Sequence, residues 1–334
     1  MAETPRRLPG WQRVLVAGAQ CYLVGLLCWA LCRWRFGDRW WWLFLLNTLS
    51  VHLFWPLLPT AGLAALTRRR TLWAGVGVAA LLWLALFGAF FLPKPRQVWG
   101  AAPSLRVMTT NVYGYNPHPE AVARAIIVAN VDIVGIQELS PEMAAVLSEQ
   151  LQALYPHQVL APQVGVTGLG VFSRYPLALT GETLPGQWLG APQLLTVDFA
   201  GTAVMLLNVH TFPPALLPGA AQARRAAART QQTAAIADFA AAHSGPLIVL
   251  GDFNDVPQSS AYITLTSVLA DAWREAGWGL GHTFPALDGP LPSWWFRIDY
   301  IFYSAHWQAV TAELGPWDGY SDHRPVVATL ALTR

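Results

Sequence analysis

Five short segments of this 334-residue chain each close an apolar run with a group able to hold a cation or a phosphate oxygen. They are Thr110-Asn111, Ile136-Gln137-Glu138, Asn208-Val209-His210, Gly251-Asp252-Phe253-Asn254 and Ser321-Asp322-His323. A sixth, Arg297-Ile298-Asp299-Tyr300, sets an aspartate inside an otherwise apolar strand. Carboxylates buried without partners are costly, so these are expected to pair with metal, His or Arg. Hard oxygen donors with one or two imidazoles suit Mg²⁺ or Mn²⁺. Cys21, Cys28 and Cys32 all lie in the first apolar stretch, so the C-terminal part has neither a thiolate zinc site nor a disulfide framework. Taken singly, each motif has a plain alternative. Glu138 could be a helix N-terminal charge, His210 or His323 a satisfied core histidine, and Asp252 turn chemistry. Their ordered recurrence in one chain favours chemistry.

The elements that must position these residues are short apolar runs alternating with helical stretches. Leu105–Asn111 reads as a strand, Glu120–Ala129 as a helix, Val131–Gln137 as a buried strand and Glu142–Leu154 as a helix. Strand-like runs follow at Gly168–Ser173, Leu194–Phe199 and Ala203–His210, then the Ala-rich helix Ala220–Ala242. Pro246–Gly251, Ile298–Ser304 and Val326–Ala331 complete the strands. The pattern is that of one α/β core with its polar residues at strand ends. It contains no Walker-type phosphate loop and no GxGxxG.

Ahead of this domain the composition changes. Residues 1–100 hold eleven Lys or Arg against Glu3 and Asp38, a formal +9. Residues 101–334 hold ten Arg, no Lys and seventeen acids, a formal −7. Such asymmetry fits two halves that meet different environments. Val14–Leu31, Trp40–Leu66 and Leu72–Leu92 each approach or exceed the ~20 apolar residues that cross a bilayer as a helix. His52, Pro56 and Pro59 should kink the middle run or make it re-entrant. Trp40, Trp41, Trp42 and Trp99 suit interfacial anchoring. The division expected is a membrane part over 1–92, a Pro-rich linker over 93–103 and a catalytic domain over 104–334. With a cytoplasmic N-terminus, Arg6, Arg7, Arg13, Arg68, Arg69 and Arg70 lie inside and Arg33, Arg35, Arg39, Lys94 and Arg96 outside. That bias places a multi-pass protein in the cell membrane with its catalytic domain extracytoplasmic.

Over about residues 104–334 the ordered motifs resemble those of the endonuclease/exonuclease/phosphatase superfamily, which includes DNase I, abasic-site endonucleases, inositol polyphosphate 5-phosphatases and neutral sphingomyelinases. The resemblance implies an α/β fold, a four-layer sandwich of two packed β-sheets flanked by helices, and the apolar runs ahead of it add about three transmembrane helices. It further implies Mg²⁺ (or Mn²⁺) held by Glu138, Asn111 and Asp322, and a water oriented or deprotonated by Asp252. Asn254 and His210 match phosphate-contacting residues, and His323 matches a catalytic histidine held by Asp299. Arg174, in Ser173-Arg174-Tyr175-Pro176, fits the pattern either as a strand-end support or as a substrate contact. Abasic-site endonucleases carry an aspartate where this chain has Tyr113, which puts a second metal position in doubt.

The resemblance therefore implies a metal-dependent phosphatase or phosphodiesterase. The apolar stretches Phe212–Leu217 and Trp294–Phe296, including Phe212, Trp294 and Trp295, abut catalytic positions and suit a lipid-linked phosphate or pyrophosphate at a bilayer. The spans and tethered domain resemble bacterial membrane proteins of the teicoplanin-resistance type, and a sphingomyelinase-like phosphodiesterase is the neighbouring reading. The absence of lysine and the formal −7 disfavour nucleic acid as a partner, leaving a nuclease as one alternative and a catalytically silent binding or signalling module as another. No protein partner is inferable.

Overall fold

The computed structural model describes residues 9–92, 94, 102–215, 217–286 and 293–333. Arg6, Arg7, Arg96, Trp99, Leu216 and most of the linker lie outside them. The chain forms two compact units, Met1–Ala89 and Phe90–Arg334.

In the first unit, α1 (Gly10–Phe36) is followed by α2 (Trp41–Thr48), α3 (Leu57–Thr67) and α4 (Arg70–Phe87). Gly10–Phe36 and Arg70–Phe91 are each long and apolar enough to cross a membrane. The middle run is broken, with Trp41–Thr48 and His52–Thr67 bent by 76°. Pro56 stands directly ahead of α3, where its missing N–H is no loss. The unit buries little and ties its few polar groups inward. Asn47 accepts from Trp29 Nε1 at 2.9 Å and donates to Asp38 Oδ1 at 2.6 Å. Leu58, Leu66, Leu81 and Leu84 point outward and exposed.

The second unit has two six-stranded sheets among its described residues. The first uses β1 (Ser104–Asn111), β2 (Ile133–Gln137), β3 (His157–Ala161), β4 (Leu169–Ser173), β11 (Trp307–Leu314) and β12 (Val326–Leu332), in the order β11-β12-β1-β2-β4-β3. The second uses β5 (Leu177–Leu179), β6 (Gln193–Phe199), β7 (Thr202–His210), β8 (Leu247–Asp252), β9 (Ala270–Asp271) and β10 (Asp299–Tyr303), in the order β5-β6-β7-β8-β10-β9. Helices α5 (Pro119–Ala129) and α6 (Pro141–Leu151) accompany the first sheet. Helix α7 (Ala220–Ala242) and the short α8 (Ser260–Thr266) and α9 (Ala272–Ala276) accompany the second. Two sheets flanked by helices is the architecture the motifs imply.

Strand alternation decides which residues face what. Met108, Val134, Ile136 and Phe172 pack in one core with Ile126 of α5 and Leu147 of α6. Leu207, Val209, Val249, Tyr300 and Phe302 pack in another with Ile236 of α7 and Leu265 of α8. The alternate positions turn toward the opposite sheet, and these include Thr109, Asn111, Gln137, Asn208, His210 and Asp299. β1 and β2 run parallel with Asn111 beside Gln137, and β7 and β8 run parallel with His210 beside Asp252. β10 is antiparallel to β8, with Asp299 opposite Asp252. One end of the sandwich therefore collects almost every singled-out residue.

Directly beneath that end, a buried amide network joins the sheets. Gln137 Nε2 donates to Asn208 Oδ1 at 2.6 Å and Thr109 Oγ1 to Gln137 Oε1 at 3.2 Å. Asn208 Nδ2 faces the Ile136 and Gly170 carbonyls and Gln193 Oε1 at 3.2, 3.0 and 2.9 Å. The sheets approach closely here: a Cβ on Gly135 would meet Leu250 Cδ1 at 2.0 Å. Asn208→Ala leaves several fully buried groups unpaired at about 1–3 kcal/mol each. We expect it to destabilise the second unit by more than about 3 kcal/mol in denaturant unfolding followed by near-UV circular dichroism. A loss under about 1 kcal/mol would show that the network is not what holds the sheets.

Candidate active site

Asn111, the last residue of β1, is held by three contacts. Its Oδ1 accepts from Tyr113 N at 3.0 Å, and its Nδ2 faces Glu138 Oε1 at 3.0 Å and Asp252 Oδ2 at 3.1 Å. It thus links the carboxylates of the two sheets. Glu138 follows β2 in a left-handed conformation, φ 60°, and its Oε2 accepts from Gly114 N at 2.9 Å. Gly114 is required there, because a Cβ would come within 2.1 Å of the Gly165 carbonyl oxygen. Burial raises the Glu138 carboxyl, the bonds from Asn111 and Gly114 and the His323 charge draw it back, and the field of Asp322 pushes it up again.

Asp252 ends β8 after Gly251, whose φ is 152° and whose Cβ would strike the Val209 carbonyl oxygen at 1.9 Å. Its Oδ1 accepts from Asn254 N at 2.9 Å, and its Oδ2 lies 3.5 Å from His210 Nε2 and 3.7 Å from His323 Nε2. Burial drives its carboxyl up to about 8, against the pull of His323. His210 is also 4.0 Å from Glu138 Oε1, and burial and the His323 charge lower it to about 3, so it is the neutral imidazole of the pair. His323 behaves oppositely. Burial pushes it down, but Asp299 and Asp252 outweigh that and hold it at about 10. Its Nδ1 lies 2.9 Å from Asp299 Oδ2. Phe284 packs on the ring with centroids 4.8 Å apart. Asn254, φ 52°, gives one amide hydrogen to Thr211 O at 3.0 Å, leaving the other for a ligand. Arg229, ion-paired with Asp255, donates to Asn254 O at 3.3 Å.

Asp252, Asp299 and His323 each offer a ligand atom within 4.8 Å of the others, a cluster compatible with a divalent metal. Two further features fit a cation. Glu138 and Asp322 are additional carboxylates whose protonation burial favours, and Asp299 Oδ1 is buried with no hydrogen-bond partner among the described residues. A hard dication relieves both, and the donors are oxygen and imidazole.

Of the remaining expected residues, Phe212, Trp294 and Trp295 are half-buried, and Phe212 N donates to Gln232 Oε1 at 3.1 Å. Arg174 is not brought to the site. β4 is antiparallel to β2, so Ser173 pairs with Ile133 while Leu169 pairs with Gln137, which sets Arg174 at the far end of the sheet. There it pairs with Asp132 at 3.2 Å and lies over the Tyr155 ring at 5.6 Å, as a strand-end support. Sequence reasoning missed Gly114, Thr211 and Phe284, which act through backbone groups or packing and carry no motif.

Because Asp299 is the leading carboxylate acting on His323, Asp299→Asn should lower the histidine from about 10 by about one to three pH units. Histidine side-chain NMR on the metal-free protein reads this directly. A value still near 10 would assign the effect to Asp252 instead.

Solved structures of similar fold include an endonuclease/exonuclease/phosphatase from Beutenbergia cavernae (25% identity, TM-score 0.50, covering 69% of this chain and 72% of that one). Another comes from Bacteroides vulgatus (22% identity, TM-score 0.52, covering 69% and 99%), and a third is TDP2 from C. elegans (18% identity, TM-score 0.54, covering 70% and 78%). No curated protein matches the chain. The expectation that nucleic acid is an unlikely partner is overturned. The family model matched is named for endonucleases and exonucleases as well as phosphatases, and TDP2 is among the structures of this fold. A formal charge summed over a whole unit says little about the field at one mouth, which is where a phosphate backbone would bind. Residues 108–323 match the Endonuclease/Exonuclease/phosphatase family, and with its buried Asp252–Asp299–His323 cluster the chain belongs to that family as a metal-dependent phosphoesterase.

Proposed function

We propose that this protein is a membrane-anchored, Mg²⁺-dependent hydrolase of a lipid-linked phosphate ester or pyrophosphate, of the teicoplanin-resistance type, with its catalytic unit on the extracytoplasmic side. The observation that carries the lipid reading is the first unit's surface. Leu58 and Leu66 on α3 are 81% and 85% exposed and Leu81 on α4 is 67% exposed, and α4, like α1, is long enough to span a bilayer. Water does not favour such a face, and lipid does.

In this reading Glu138, Asn111 and Asp322 would hold the cation, with the Asp252 and Asp299 carboxylates beside them. A bound Mg²⁺ supplies charge neutralisation at the non-bridging and leaving oxygens. Asp252 takes the proton of the attacking water, and its raised affinity for protons suits an acceptor working near neutral pH. His323, kept protonated and oriented by Asp299, donates from Nε2 to a phosphoryl oxygen. Asn254 gives its second amide hydrogen to another, and neutral His210 closes the wall beside Glu138. Phe212, Leu217, Trp294 and Trp295 form an apolar rim; Leu217 is 81% exposed, and Leu216 lies outside the described residues.

The test is hydrolysis by the full chain in Mg²⁺ of a prenyl pyrophosphate and a phospholipid in vesicles, against single-stranded and duplex DNA. Preference for DNA would overturn the lipid reading. Glu138→Gln keeps the shape and loses the charge, so Mg²⁺-dependent turnover should fall at least about a hundredfold, roughly 2.7 kcal/mol of barrier, with melting temperature little altered. Near-normal turnover at low Mg²⁺ would remove Glu138 from the cation site. The double substitution Phe212→Ser with Leu217→Ser should cut turnover of vesicle-borne substrate at least about fivefold more than that of a short-chain soluble ester. An equal fall on both would make the rim ordinary packing.

A further inference from the structure

Among the described arginines of the second unit that are not fully exposed, Arg106, Arg174, Arg229 and Arg297 are each paired with an acid: Glu313, Asp132, Asp255 and Asp271. Arg324 is half-buried and has no such partner among the described residues. A guanidinium drawn partly out of water without an anion bears a desolvation cost that no carboxylate on the protein offsets. What Arg324 has is a platform. Its guanidinium carbon lies 3.8 Å from the centroid of the Trp294 ring, a cation–π geometry. Trp294 stands edge-on to Trp317, centroids 5.4 Å apart.

That platform is tied to the active site. Trp317 Nε1 donates to Ser321 O at 2.8 Å, and Ser321 Oγ donates to Asn111 O at 2.7 Å, at the end of β1. Arg324 N donates to Thr283 O at 2.8 Å, while the next residue, Phe284, packs on His323. Arg324 and His323 are neighbours in the chain, so their Cα atoms are about 3.8 Å apart. Stacking fixes the plane of a guanidinium and leaves its N–H edge open to a bidentate oxyanion.

We infer that Arg324, on its Trp294–Trp317 platform, is a substrate-specificity residue that receives a second phosphate joined to the one under attack, so that the site selects pyrophosphates over monoesters. The inference rests on the phosphoesterase reading above and deepens it. Arg324 makes and breaks no bond; its contribution is to binding. It also differs from the apolar rim, because its ligand is anionic.

The test compares substrates that differ in one phosphate, geranyl pyrophosphate and geranyl monophosphate, on the full chain with Mg²⁺. Wild type should prefer the pyrophosphate in kcat/KM, and Arg324→Gln should reduce that preference at least about tenfold, chiefly through KM, or about 1.4 kcal/mol. Arg324→Lys, which keeps the charge but not the fork, should fall between. Calorimetric binding of methylenediphosphonate against methylphosphonate gives a second readout that needs no turnover. Wild type should bind the diphosphonate more tightly, and the glutamine variant should not. Equal losses on both substrates, an unchanged preference, or no diphosphonate preference in wild type would each overturn the assignment. Should the glutamine variant fail to fold, Arg324→Lys and the wild-type diphosphonate comparison decide alone. Failure of wild type on every phosphoester tested would instead sink the phosphoesterase reading, whatever the diphosphonate shows.

Discussion

Acids crowded at the end of a dry sandwich set the terms for the rest of the catalytic unit. Glu138, Asp252, Asp299 and Asp322 converge where the inner faces of the two sheets run out, and Asp252 and Asp299 are almost wholly removed from water. Left alone, Glu138, Asp252 and Asp322 would neutralise by taking up protons, because burial pushes them that way. The counterweights are few and local: a backbone N–H from Gly114, another from Asn254, the Asn111 amide and a charged His323. Each works only within hydrogen-bond reach, so the backbone there has little latitude. This accounts for left-handed conformations at Tyr113, Glu138 and Asn254, within a few residues of the strand ends. The cluster is compatible with a divalent cation, which would complete the balance.

Holding those acids together requires that the sheets not slide. The Gln137–Asn208 network supplies a directional lock that packing alone would not, since apolar faces tolerate small shifts and amide pairs do not. Its position matters as much as its strength. Gln137 immediately precedes Glu138, and Asn208 lies two residues before His210, on the same face of the strand. The lock therefore fixes the two sheets at the point from which the site residues project.

Much of this was legible in the sequence because strand alternation and strand ends leave strong local patterns. An apolar run ending in Asn111, Glu138, His210 or Asp252 specifies both an element and a direction. What lay beyond reach was pairing. β3, β5 and β11 carry intermediate or exposed residues, so their apolar pattern is weak, and β9 is too short to have one. Arg174 visibly ended a strand, but only the antiparallel pairing of β4 with β2 shows that it ends at the wrong side of the sheet. The inference against nucleic acid failed for a related reason, since a sum over sequence carries no information about where on the surface the charges lie. Arg324 went unnoticed because its meaning lies in what it lacks, an acidic partner, and in a ring thirty residues earlier in the chain.

Phe90 and Phe91, the first two residues of the second unit, pack within it. Phe90 lies in the apolar run that ends at Leu92 and belongs to the second unit, where its carbonyl accepts from Gly279 N at 2.7 Å and its ring lies 5.6 Å from the Arg297 guanidinium. Phe91 stands edge-on to Trp278 at 5.7 Å. Arg297 is fully buried, bound through both terminal nitrogens to Asp271 and faced by the rings of Tyr262 and Tyr300. Two residues later β10 begins with Asp299, the carboxylate that orients His323. A buried ion pair of this kind adds little net stability but resists rearrangement, because breaking it strands a charge. The aromatic shell around Arg297, with Phe90 as one wall, thus excludes the water that would otherwise loosen the pair. Phe90 is accordingly among the residues that keep β10, and with it Asp299, in place.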